Sequence, residues 1–142
     1  MKESAGIRYG PRDIRKFFGI SPASQEQWRK RGIPSRGMSR NPGGHHYFDK
    51  VALLEFALAI EIKKHGLKLD YFSYISPLIH ARESTPSNLA SDWIIVCDCG
   101  VFFSFEDMNC YCAVADAINI ARLLELSRTR VIAALIDHDQ SS

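Results

Sequence analysis

The order of elements written between Asp13 and Gly66 constrains this chain more than any other feature. A short segment with Ile14, Phe17 and Phe18 on one face runs into Gly19-Ile20-Ser21, and a second ends in Trp28-Arg29-Lys30-Arg31-Gly32-Ile33-Pro34. Asn41-Pro42-Gly43-Gly44 follows, with His45-His46-Tyr47-Phe48 behind it, and then an apolar run from Val51. Gly10-Pro11 opens the first helix, because proline lacks only an N–H that the first turn leaves unbonded anyway. Ser21 caps a second helix with Pro22 at its first position, and Gly32 offers the left-handed stop after Arg31. Asp49 caps a third helix that runs to His65 and closes at Gly66, its first three turns so apolar that most of its girth must be covered. Helix, tight turn, helix, basic ribbon and scaffold helix is the order that a winged helix-turn-helix requires.

Charge is distributed in the same sense. The net charge of +2 is too small to carry an argument, but residues 1–50 hold eleven Lys and Arg against four acids, while residues 51–142 hold seven against twelve. The N-terminal half is therefore the phosphate-facing one. Met1 to Gly10 lacks an apolar leader, and Val51 to Ile60 is interrupted by Glu55 and too short for a bilayer, so a soluble cytoplasmic protein without a membrane partner is expected.

Beyond the scaffold helix, residues 70–82 read as a further helix that Pro77 should kink or split. Residues 83–91 are polar and turn-rich and are expected to link two domains, 1–82 and 92–142. The second of these carries β-rich runs at 92–97 and 101–105 about a Cys-Gly turn, room for a third strand within 110–120, and a terminal helix from Ala121 to Ile136. The expected fold class is α+β: an N-terminal winged helix-turn-helix with extra helices, then a small antiparallel hairpin or meander with a terminal helix.

A helix that reads DNA needs short polar or long basic side chains facing outward near its start. Ala23, Ser24 and Gln27 occupy that face, Gln27 being able to bond an adenine edge at two points. Arg12, Arg29, Lys30, Arg31, Arg36 and Arg40 suit the phosphate backbone, and His45, His46 and Tyr47 put a titratable pair and a hydroxyl on the ribbon. Histidines touching phosphate would make binding strengthen as pH falls through the histidine range.

Cys97-Asp98-Cys99 and Cys110-Tyr111-Cys112 are two Cys-x-Cys pairs. On strands each pair shares a face, so four thiolates across a hairpin are the donor set of a zinc site and would suit a metal-responsive regulator. Cysteines among Val, Ile and Phe are equally small buried hydrophobes, and no cofactor is then needed. Trp93, Phe102, Phe103 and Phe105 read either as the lining of an effector pocket or as core. Leu124, Val131 and Leu135 on the last helix are candidates for a dimer interface.

The Gly19-Ile20-Ser21 turn, Gly32-Ile33-Pro34, Gly43-Gly44-His45-His46-Tyr47 and the helix closing at Gly66-Leu67 resemble the mercury-resistance-type (MerR-like) winged helix-turn-helix regulators over about residues 9 to 82. Five positions depart from that family: His45 and His46 stand where arginines are expected, Gln25 where Leu or Val is buried, Gln27 where tyrosine stands, and Arg15 where a small Ala lets two helices approach. The Gln-Trp-Arg-Lys-Arg-Gly-Ile-Pro run is more similar to phage Cro-type and excisionase-like proteins. The resemblance implies a transcriptional regulator that binds double-stranded DNA as a homodimer, with RNA polymerase or a small-molecule effector as further partners. A phage-type excisionase or architectural protein is the alternative within DNA binding, and a protein-interaction adaptor the alternative outside it. No nucleophile lies beside a base and no phosphate-cradling glycine loop occurs, so an enzyme is not expected.

Overall fold

A computed structural model describes residues 7–84, 93–97, 100–102 and 115–141. The protein is mixed α+β with two small antiparallel sheets. It divides into two compact units, one of Met1–Phe72 with Leu126–Ser142 and one of Ser73–Glu125. The last helix therefore begins in the second unit and ends in the first.

In the first unit, α1 (Pro11–Phe18) starts with the Asp13 carboxylate accepting the Gly10 N–H at 3.0 Å, and it stops where Gly19 turns left-handed. α2 (Pro22–Lys30) is capped by the Ser21 hydroxyl, which accepts the Ser24 N–H at 3.1 Å. At its far end the Gly32 N–H bonds the Arg29 carbonyl and the Ile33 N–H bonds the Trp28 carbonyl. That pair of bonds is a Schellman stop, and α3 (Lys50–Lys64) ends the same way through Gly66 and Leu67. Asp49 caps α3 by accepting from Val51 and Ala52.

Between α2 and α3 lies the ribbon, β1 (Met38–Arg40) antiparallel to β2 (His46–Phe48), joined through the turn at Asn41 to Gly44. Tyr9 exchanges two backbone hydrogen bonds of 2.8 Å with Phe48 and so fastens the second ribbon strand to the chain ahead of α1. No periodicity marks this single bridge, and sequence reading missed it. The core gathers on Phe56, whose ring meets those of Phe18, Trp28 and Phe48 at 6.3, 6.4 and 5.2 Å. One fully buried side chain thus joins α1, α2, β2 and α3. The expected all-round cover of α3 is present from Ala52 to Ala59 and encloses one acid, Glu55, while a second, Glu61, is buried one residue beyond the half-buried Ile60.

A 3-10 turn (Leu69–Tyr71) leads from the first unit into α4 (Phe72–Ser84). Pro77 neither splits α4 nor ends it, and Glu83 and Ser84 are helical where a linker was expected. The rest of that linker lies outside the described residues. The second unit's sheet has the order β4-β3-β5, with β3 (Trp93–Cys97) central between β4 (Gly100–Phe102) and β5 (Ala115–Asn119). Ile94 and Ile95 are both buried, and neighbours on a strand face opposite ways, so this sheet is covered on both faces.

Asn119 ends β5 and its side chain accepts the Arg122 N–H at 2.9 Å, which starts α5 (Ile120–Ser141) with no loop between. α5 is longer than expected: Asp137-His138-Asp139, beyond the expected end at Ile136, is helical, and the His138 ring stands edge-on to Phe17 at 5.2 Å. No helix among the described residues is long and apolar enough to cross a membrane.

Candidate nucleic-acid interface

A helix turns by about 100° per residue, so the burial of α2 divides it into faces. Gln25 and Trp28 point inward and Ala23, Glu26, Gln27 and Lys30 point outward, while Ser24 and Arg29 sit half-buried on opposite flanks. Gln25 fills a position where an apolar side chain is usual. Its amide donates to the Ile20 carbonyl at 2.9 Å and to the Pro11 carbonyl at 3.1 Å, tying α2 to both ends of α1. A buried amide with both hydrogens bonded locks the angle of the two helices without an unsatisfied group. Arg15, where the resemblance leads one to expect a small residue, is exposed on α1, and its neighbour Ile14 is fully buried.

The Arg29 flank faces the ribbon. Opposite residues on an antiparallel pair share a face, so Arg40 and His46 lie on the side of Met38 and Phe48, while Ser39 and Tyr47 lie on the other. The Arg40 guanidinium donates to His46 Nε2 at 3.2 Å, and Glu26 pairs with Arg29. Partial burial, then Arg29 and Arg40, hold His46 below the usual histidine range, with Glu26 pulling the other way. Arg29, Arg40, His46 and Glu26 thus form one cluster joining the α2 flank to the ribbon. Tyr47 is on the far face, its hydroxyl 3.4 Å from the Asn41 amide. His45 is exposed at the turn, its N–H bonded to Asn41 Oδ1 at 3.0 Å.

The remaining sequence-derived site residues are placed unequally. Arg12, Lys30 and Arg36 are exposed. Arg31 is exposed too, but it pairs with Asp70 at 3.1 Å. Ser24 belongs to the other flank, where its hydroxyl accepts from that of Ser21 at 3.2 Å, so capping and not the outer face uses it. Leu124 and Val131 are buried within the chain, which leaves Ile132 and Ile136 as the exposed large apolar residues of α5. Cys97 is buried, and Cys99, Cys110 and Cys112 lie outside the described residues, as do Phe103 and Phe105. Among the described residues no group of three or more His, Cys, Asp or Glu is placed to hold a metal.

Two residues that sequence reading passed over position the segment between α2 and the ribbon. The Glu55 carboxylate, buried on α3, accepts the Ser35 N–H, the Ser35 hydroxyl at 3.0 and 2.8 Å through its two oxygens, and the Arg36 N–H at 3.3 Å. It holds the segment that carries α2 into β1. Gly37 has φ +80°, and a Cβ there would lie 2.2 Å from Asp49 Oδ1 and 2.6 Å from the Ala52 nitrogen, so the ribbon starts directly over the capped end of α3. An acid interrupting an otherwise apolar helix and a Gly five residues after a helix stop were the available signals. Comparison of the chain with protein-family models and with curated proteins returned no match.

Proposed function

We propose that the protein binds duplex DNA in a sequence-specific manner and regulates transcription, or a related DNA transaction, as a homodimer, residues 9–82 acting as a winged helix-turn-helix of the MerR-like kind. The supporting observation is the cluster of Arg29, Arg40 and His46, with Glu26 paired to Arg29, which joins the flank of α2 to one face of the ribbon. Gln27 is exposed on the outer face of α2 and is the base reader, where it can bond both N6 and N7 of adenine. Arg12, Lys30, Arg36, Arg40 and His45 take phosphates. Arg29 and Arg31 exchange exposed carboxylates for phosphate, a cheap exchange because exposed ion pairs contribute little. Ile132 and Ile136 replace Leu124 and Val131 as the apolar contacts of a dimer.

A mobility-shift titration against a random duplex pool at about 50 and 200 mM salt tests the proposal, since each lost phosphate contact reduces the salt slope by about one unit. Wild type should bind with strong salt dependence, and Arg29→Ala with Arg40→Ala should weaken it on every sequence. Absence of binding, or binding indifferent to salt and to these changes, would reject it.

A further inference from the structure

On the flank of α2 away from the ribbon, the first unit opens a cleft of about 550 Å³ lined by Gly19, Ile20, Ser24, Trp28, Ile60, Lys63, Lys64 and Arg130. Its chemistry is divided. Ile20 and Trp28 are buried and Ile60 half-buried, and they make an apolar floor. The Trp28 ring is stacked on Phe56 beneath, which fixes its plane. Above it stands the Lys63 ammonium, 5.9 Å from the ring centroid, with Lys64 beside it in sequence.

Arg130 lines the cleft from α5, but its charge is already met: Nε and Nη2 donate to Glu61 Oε2 at 2.9 and 2.5 Å. Neither Lys63 nor Lys64 has an ion-pair partner among the described residues, and no carboxylate lines the cleft. Two cations without counter-charge at the mouth of a partly aromatic hollow fit a ligand that is flat and apolar at one end and anionic at the other. The hollow is shallow and open to solvent, so a bound ring is covered on one side and keeps the other in water.

We propose that this cleft is a binding site for a small aromatic carboxylate. The ring lies along Ile20, Trp28 and Ile60, and the carboxylate takes hydrogen bonds from Lys63 and Lys64. The site stands independently of the DNA-binding proposal, because it requires nothing of the outer face of α2.

The test is a titration of the full chain followed through the Trp28 indole N–H signal in NMR, with Trp93→Phe removing the second indole. The probes are 2-naphthoate, its neutral amide and inorganic phosphate, all without DNA. Naphthoate should shift the Trp28 signal saturably, and the amide should bind about tenfold more weakly, the loss expected when one close charge pair is removed. Lys63→Ala with Lys64→Ala should weaken naphthoate to the level of the amide while leaving the amide's own affinity unchanged, with the unfolding temperature lowered by no more than the lost contact of Lys63 with Trp28 and the last-turn charges of α3 imply. Both lysines are exposed, so this variant keeps the fold. No saturable shift, equal affinity for acid and amide, or phosphate binding as well as naphthoate would overturn the proposal.

Discussion

Glu55 and Glu61 sit on one helix, less than two turns apart, and both are buried, yet they are held in unlike ways. Glu55 accepts from two backbone N–H groups and a hydroxyl of the segment leading into the ribbon. Glu61 meets a guanidinium, Arg130, from the far end of the chain, with the His65 ring nearby. A side-chain partner can be replaced together with the acid, whereas backbone donors remain in every variant. The N-terminal half of α3 is therefore committed to positioning the ribbon, and the C-terminal half to holding α5 in a way open to substitution.

The largest effect that bears on this contrast is expected at Glu55. Glu55→Ala leaves three donors without their acceptor and should cost about 3 kcal/mol in urea unfolding, since hydrogen bonds to a charged group contribute about 1.5–3 kcal/mol each, less what water recovers at the exposed Ser35 and Arg36. A loss below about 1 kcal/mol would mean that the 34–37 segment finds other partners. Gly37→Ala should cost about 2–3 kcal/mol, combining left-handed strain with damage to the Asp49 cap, and it should lower DNA affinity if the ribbon touches DNA.

At the other half, Glu61→Met alone should cost about 1–2 kcal/mol, discounted because the Arg130 side chain keeps 31% of its exposure and can turn to water. Adding Arg130→Leu should bring stability back to within about 1 kcal/mol of wild type. If the double variant stays as unstable as Glu55→Ala, the contrast between the two acids fails.

The smallest effect is the pH dependence at His46. Its native pKa lies below the unfolded value of 6.5 because of burial and the nearby Arg29 and Arg40. Between the two values the unfolded chain carries more protons, so stability is fully present above about 6.5 and is lost as pH falls through the native pKa. The urea midpoint of wild type should drop more on acidification than that of His46→Gln, with no difference at neutral pH. Phosphate contact acts in the opposite direction: it would raise the pKa, so DNA affinity should increase as pH falls, and less so in His46→Gln.

The elements of residues 11–66 were legible because their signals are local. Pro11, Ser21, Pro22, Gly32, Asp49 and Gly66 each satisfy or end a backbone run within four residues of themselves. Of the two outcomes expected at Pro77 the split does not occur, because a proline's effect on a helix depends on what packs around the freed carbonyl, and α4 continues through it. The last helix ran past its expected end because Asp137-His138-Asp139 looks polar in isolation, while the His138 ring packs on Phe17 and Tyr9, over 120 residues away. Gln25 looked like a departure from an apolar pattern, since nothing local reveals that two carbonyls wait beside it.

The sequence by itself determined the caps, the stops, the ribbon turn and the concentration of positive charge in the first fifty residues, all consequences of short-range hydrogen bonding and composition. Tertiary structure alone decided which flank of α2 meets the ribbon and which meets the cleft, and that Glu55, Glu61 and Gln25 are interior. Those outcomes depend on distant partners such as Ser35, Arg130 and Pro11, and a buried polar group is stable only where such partners close on it.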